Sequence, residues 1–297
     1  MEIRVLRYFL TIAREGSITR ASNVLHLTQP TLSRQIHELE DELGSQLFIR
    51  GSHSMTLTRE GMRLRRRAEE IVSMVDKVQF EFTQTDRITG EIDIGGGETA
   101  AMSLITDTCT ELHDLYPGIH FNLYSGNSED VTDRLDRGLL DFGILIQPAD
   151  LSRYDSLRIP AAETWGVLMR KDSPLASQKG ITKDDLLDLP LIFSRQVLQS
   201  GTSGNPYFEW FGSDYGKLNI AATYNLIYNA SLLVRSGLGY AITIDHLADV
   251  SEQSSLCFRP LEPRLELGLD LVWKKYQVFS PAAELLLSRL REKFLTE

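Results

Sequence analysis

Between Ser17 and Leu43 the chain reads SITRASNVLHLTQPTLSRQIHELEDEL, and Gln29, Thr31, Ser33, Arg34 and Gln35 crowd into one short part of it. These side chains suit base edges: Gln can bond adenine through two hydrogen bonds, Arg can do the same to guanine, and Thr or Ser serves bases or phosphates. A helix has to position them. Leu32, Ile36, Leu39 and Leu43 recur at helical spacing, so their burial turns the polar set outward. Thr28 is a suitable N-cap, and Pro30 falls in the first turn, where a missing N–H removes no intrahelical bond. Upstream, Ile18, Ala21, Val24 and Leu25 keep the same period over a shorter helix, with Leu27 in the break. Two helices joined by a short turn can present a helix to the major groove. Taken alone, the pattern also describes a solvated polar face, and the neighbouring elements have to decide.

Ile3 to Glu15 carries Val5, Leu6, Phe9, Leu10, Ile12 and Ala13 on one broad face and ends at Gly16, which predicts a first helix closing a three-helix core. After Leu43-Gly44, the stretch Gln46–Thr58 reads as two short strands around a Gly-Ser turn. Such a β-wing would carry Arg50 and His53 at or near its tip, within reach of phosphates. From Thr58 a long helix follows, in which Leu64, Ala68, Ile71, Val75, Val78 and Phe82 alternate steps of four and three. That is a heptad seam, which a second copy of the chain would bury, unless it packs on its own domain. Pairing would place two reading helices over two half-sites.

Length and charge bound the rest. A chain of 297 residues with 42% hydrophobic and 24% charged residues predicts a globular protein of two or three domains. No apolar run is long enough for a membrane span, and charges interrupt MEIRVLRYFLTIAREG, so no signal peptide or membrane partner is expected and the expected compartment is the cytoplasm. The net charge of −10 is unevenly spread: residues 1–88 hold 13 basic and 12 acidic residues, and 89–297 hold 18 and 29. Binding to DNA therefore has to rest on local placement of Arg20, Arg34, Arg50, Arg59, Arg63 and the run Arg65-Arg66-Arg67, set against Glu38, Glu40, Asp41 and Glu42. Cys109 and Cys257 lack metal or redox spacing and are expected as buried thiols.

Residues 1–88 resemble the winged helix-turn-helix and linker helix of LysR-type transcriptional regulators. The resemblance is carried by Leu6-Arg7-Tyr8-Phe9, Glu15-Gly16-Ser17-Ile18-Thr19-Arg20-Ala21, the run Leu25 to Ile36, Leu39-Glu40, Leu43-Gly44, Leu47-Phe48, Arg50 and Leu57-Thr58-Arg59-Glu60-Gly61. It implies that Gln29, Pro30, Thr31, Ser33 and Arg34 lie at the DNA, that Thr19, Thr28 and Arg50 hold phosphates, and that the long helix pairs dimers. The chain departs from the pattern at Ser52-His53-Ser54, where the family often carries a basic wing residue.

Downstream the pattern is α/β. Gly90–Ile94 alternates as a strand, Leu104–Leu115 is helical, Ile119–Tyr124 is a strand, Asn127–Gly138 a helix and Asp141–Ile146 a third strand. Trp165–Met169, Leu191–Phe193, Asn219–Tyr224, Gly239–Ile244 and Leu267–Trp273 read as further strands, with helices at Thr182–Leu187, Ala230–Ser236 and Ala282–Phe294. The aromatic run Tyr207–Phe211 reads as core. Gly95-Gly96-Gly97 is not a dinucleotide fingerprint and no P-loop lysine follows it. Parallel sheets bind ligands at the carboxyl ends of their strands.

The family resemblance continues here through Gly90-Glu91-Ile92, Tyr116-Pro117-Gly118, Leu140-Asp141-Phe142, Met169 to Ala176, Leu186 to Ile192 and Val234 to Gly239. It implies a two-lobed, periplasmic-binding-protein-like effector domain with strand crossings near Ala161 and Leu265, and an interlobe pocket drawing on Glu98, Thr99, Asn127, Ser128, Gln147, Thr202 and Asn225. Ile244 stands where the family often has proline. Glu98 at a helix mouth speaks against assuming an anionic effector, because a carboxylate there already meets the positive end of the dipole.

The expected organisation is a DNA-binding domain at 1–58, a dimerisation helix at 59–88 and an effector domain at 89–297, with lobe I about 89–161 and 265–297 and lobe II about 162–264. The expected partners are double-stranded DNA, a second copy in a homodimer, a further dimer in a homotetramer, and RNA polymerase. No cofactor beyond a small-molecule effector is expected. An enzyme is not expected, since no GxSxG, HExxH or ordered Ser/His/Asp set occurs and Asp245-His246, read on a strand, would point to opposite faces. A constitutive DNA-binding regulator without effector stays open.

Overall fold

A computed structural model of the chain describes residues 1–51, 54–83, 88–199 and 205–295. The chain forms two compact units, Met1–Thr85 and Asp86–Glu297.

In the first unit α1 (Ile3–Glu15), α2 (Ile18–Val24) and α3 (Gln29–Leu43) are followed by the hairpin β1 (Phe48–Arg50) and β2 (Met55–Leu57) and the long α4 (Arg59–Thr83). Left-handed Gly16 and Gly44 (φ 62° and 61°) end α1 and α3, a backbone state open to glycine without steric cost. Leu6, Phe9, Ile12, Ala21, Leu32, Ile36 and Leu39 form the core, joined by Leu47 and Phe48 from the wing, whose Phe48 ring lies 5.2 Å from that of Phe9. Glu40 is buried: one carboxylate oxygen accepts the N–H groups of Leu47 (2.8 Å) and Phe48 (3.2 Å). Glu40 therefore does not contribute to the solvent-facing acid at the far end of α3. It ties the start of the wing to that helix.

The seam expected along α4 divides. Ala68 is fully buried and Leu64 packs partly buried against the same core, which includes Leu6 and Phe9 of α1. Those two residues serve their own domain, because the helix spacing that makes a seam for a partner also fits a groove on α1. Beyond them Ile71, Met74 and Val78 are exposed at 36%, 42% and 48%, while Val75 is half-buried. The side chain of Phe82 lies outside the described residues.

The second unit holds one large sheet. Its strands are β3 (Gly90–Gly96), β4 (Ile119–Ser125), β5 (Phe142–Ile146), β6 (Tyr154–Arg170), β7 (Leu191–Ser194), β8 (Ile220–Tyr224), β9 (Tyr240–Ile244), β10 (Leu256–Pro260) and β11 (Glu266–Lys274). The order is β4-β3-β5-β11-β6-β9-β7-β8, with β10 also on β6. Strand β6 makes the two lobes one sheet: Tyr154–Thr164 pairs with β11, then Trp165–Leu168 pairs with β9 and Gly166–Arg170 with β10. Ala161 lies inside this unbroken strand and Leu265 immediately precedes β11, so the separate strand expected at Trp165–Met169 is the second half of a longer one.

Helices α5 (Met102–Leu115), α6 (Ser128–Asp136), α7 (Arg195–Gln199), α8 (Pro206–Phe211), α9 (Ile227–Arg235) and α10 (Pro281–Leu295) cover the sheet. Two buried clusters, one around Ile94, Phe142 and Leu271 and one around Val167, Phe193 and Ile242, fill the lobes. Tyr207 and Phe211 belong to the second, as the aromatic run predicted.

Three local readings change. Thr182–Leu187 is a series of turns, because Asp185 accepts the Thr182 N–H (2.9 Å) and hydroxyl (2.6 Å) and closes the chain locally. Strand β10 was not read from the sequence. Asp245 and His246 sit in a turn after β9, with His246 at φ 63°, so the argument from strand faces does not apply to them. Cys109 and Cys257 are both buried free thiols, and burial pushes Cys109 up to about 12. Among the described residues no helix is long and apolar enough to cross a membrane.

Candidate functional site

The polar set expected to meet base edges lies at the start of α3. Thr28 is the extended N-cap, but its hydroxyl meets that of Thr31 (2.8 Å) and not a backbone N–H, leaving the first turn without a side-chain cap. Such a helix start offers N–H groups and a positive dipole end to a phosphate. Gln29, Pro30, Thr31 and Arg34 are exposed and Ser33 is half-buried. Gln29 Oε1 accepts from the Thr19 hydroxyl at 3.3 Å, so α2 and α3 hold these two polar groups together. Arg34 pairs with Glu38 at 3.5 Å, and both side chains are well exposed. Ser33 and Arg34 share a shallow groove with His37, Gln46 and Ile49, none of which was singled out from the sequence. The side chain of Arg50, and His53 altogether, lie outside the described residues.

In the second unit a cavity of about 370 Å³ lies at the carboxyl ends of the strands. Of the expected effector residues, Glu98, Asn127, Gln147 and Asn225 line it. Thr99 and Ser128 do not: the Thr99 hydroxyl donates to buried Glu163, and the Ser128 hydroxyl accepts from Gln196 Nε2 at 2.6 Å. Thr202 lies outside the described residues. Asn127 caps α6 by accepting the Asp130 N–H at 2.8 Å, and Gln147 is held at the crossing by a 2.7 Å bond to Asp270.

Among the described residues, two side-chain contacts join the lobes at this cavity. Glu98, which follows β3, accepts the Ile227 N–H at the start of α9 (2.7 Å), and Gln196 of α7 bonds Ser128 of α6. Glu98 thus meets the dipole of a helix in the opposite lobe, whereas α5, the helix that follows it in sequence, has its Ala101 N–H met by Thr99 (3.0 Å) and Glu163 (3.4 Å). The sequence reading missed Trp165, Gln196, Asn205, Tyr207 and Tyr224 in the walls. Tyr224 and Ile244 end β8 and β9, and the strand-end rule applied to every strand would have found both. Burial, and then the Glu98 charge, push the Tyr224 phenol up, and its hydroxyl donates to the Ile242 carbonyl at 2.7 Å. Burial does the same to Tyr207. Both rings are neutral walls.

Known proteins share this arrangement. The profile described as "Bacterial regulatory helix-turn-helix protein, lysR family" matches residues 3–62, and that of the "LysR substrate binding domain" matches 85–295. The HTH-type transcriptional regulator YvbU of Bacillus subtilis (strain 168) is 29% identical over 300 residues, covering all of both chains. BsdA, an HTH-type regulator of the same organism, is 36% identical over 225 residues, 74% of each chain. The full-length structure of CbnR complexed with its target DNA is 18% identical, covers 100% of this chain and 99% of that one, and shares the fold with a TM-score of 0.70. With both halves matched in order, the chain belongs to the LysR family of transcriptional regulators, a DNA-binding helix-turn-helix followed by an effector-binding domain.

Proposed function

We propose that a small molecule bound between the lobes changes how paired chains hold DNA, with residues 1–58 reading the duplex, 59–88 pairing the chains and 89–297 sensing the ligand. The observation that carries this reading is the pair of side-chain contacts over the cavity, Glu98 to Ile227 and Gln196 to Ser128, since a ligand seated there bears on the closure of one lobe over the other. A ligand shifts such an equilibrium only through different affinities for the two states. DNA recognition falls to Gln29, Thr31, Ser33 and Arg34 for bases, with Thr19, Thr28, Arg50 and the open α3 start for phosphates. The exposed ridge Ile71, Met74 and Val78 supports a homodimer, and a pair of dimers is the assembly through which lobe closure would reset half-site spacing and contacts with RNA polymerase.

The test is linkage. DNA binding is titrated with and without a ligand shown by calorimetry to bind the protein, and ligand affinity is measured with and without DNA. The two affinities should change by the same factor and in the same direction, since coupling is reciprocal. Identical DNA curves despite proven ligand binding would refute the reading.

A further inference from the structure

The helix N-termini that would catch an anion at the cleft already hold oxygens of the chain itself. Helices α6 and α9 have their first residues in or beside the cavity wall. Asn127 fills the first, with Glu129 and Asp130 in the same turn, and Glu98 fills the second. Helix α5, starting just after Glu98, is met by Thr99 and Glu163. Among the described residues the charged groups in the lining are Glu98 and Asp150, and no Lys, Arg or His is among them. Arg153, near Asp150, is paired with Asp136.

The walls point the same way. Trp165, Tyr207 and Tyr224 contribute aromatic rings, whose faces attract cations. Trp165 is only 7% exposed, and its indole N–H, without an acceptor among the described residues, is a donor that would meet an acceptor on a ligand, so only the ring face favours a cation. The Glu98 carboxylate spends one oxygen on Ile227 and has lone pairs left, so an ammonium can join it without breaking the contact between the lobes. A carboxylate ligand would have to lose its water beside that charge, or displace it.

We propose that the cleft takes a compact organic cation with an apolar body, not a carboxylate, and that Glu98 holds its charge. This rests on the cleft being the effector site. A cation held by Glu98 of one lobe and the rings of Trp165, Tyr207 and Tyr224 of the other bridges the two, which makes the closed lobe arrangement the liganded one.

The test compares three probes of one shape, phenethylammonium, 2-phenylethanol and phenylacetate, by calorimetry on the full chain and by tryptophan emission. Trp165 is one of three tryptophans, so its share is isolated by W165F. The ammonium should bind tightest, about tenfold or more over phenylacetate, as expected of a charge-assisted hydrogen bond. E98Q should shrink that preference to about threefold or less, and the emission change on binding should be absent from W165F. Phenylacetate binding as tightly as the ammonium with a Trp165 response overturns the charge assignment and leaves the cleft reading standing. An undiminished preference in E98Q, or no binding of any probe at millimolar concentration, also overturns it. Ammonium binding with no Trp165 response places the ligand elsewhere and takes the cleft reading down with the proposal.

Discussion

Arg34→Ala is the sharpest probe of the proposed reading helix. In the free protein the guanidinium pairs with Glu38 at 3.5 Å, with side-chain exposures of 73% and 58%. An exposed pair of that kind contributes about 0–1 kcal/mol, so releasing Arg34 to DNA costs little. A bidentate contact with guanine is worth about 1–3 kcal/mol of discrimination, which exceeds that cost and sets the expected loss at roughly 5- to 150-fold on a specific site. The side chain takes no part in the core around Leu32 and Ile36, so thermal unfolding should stay within about 0.5 kcal/mol of the parent. The assay is fluorescence anisotropy at fixed salt, on a duplex selected by the parent protein from a random pool and on a scrambled control. Glu38→Ala serves as the companion, with a small gain or no change. An equal loss on both duplexes would remove the base-reading role and leave Arg34 a phosphate contact.

Met74→Asp or Val78→Asp should halve the solution mass seen by light scattering, while Ala68→Asp should unfold the first unit, because Ala68 is buried in its own domain. An unchanged mass with a folded protein would remove the ridge as the pairing surface. Glu40→Ala strips the acceptor from the Leu47 and Phe48 N–H groups and should destabilise the first unit by about 2–4 kcal/mol, with Glu40→Gln recovering most of it. Burial raises Cys109 from its ordinary 9.0 to about 12, so its protonated form is favoured in the folded chain. That contribution is complete below pH 9 and lost as the pH climbs toward 12, and Cys109→Ala should flatten this part of the stability curve in chemical unfolding.

The first unit was legible because its signals are local. Apolar spacing fixed α1 and α3, Gly16 and Gly44 marked their ends, and Pro30 with Thr28 marked a start, each through backbone sterics or hydrogen bonding within a few residues. The polar set at the tip of α3 follows from the same period, since burying Leu32 and Ile36 leaves Gln29, Thr31 and Arg34 nowhere to go but outward. Strand and helix order in the second unit came through for the same reason, apart from the first half of β6, β10, the short helices α7 and α8, and the turns at Thr182–Leu187.

Which side a helix gives to its own core and which it leaves exposed was decided only in three dimensions. Leu64, Ala68 and Ile71 share one heptad pattern, yet the first two pack into the core with α1 while Ile71 stays exposed, although Arg7 of α1 pairs with Asp76 farther along the same helix. Glu40 reads as one acid among four and becomes an internal acceptor because the wing returns its backbone to that point. The cleft is the strongest case: Glu98 and Ile227 are 129 positions apart, and the hydrogen bond between them exists because β6 carries both lobes on one sheet and turns α9 toward the end of β3. Local propensity carries no information at that range, so the sequence named polar residues for the site, and the fold selected which of them meet.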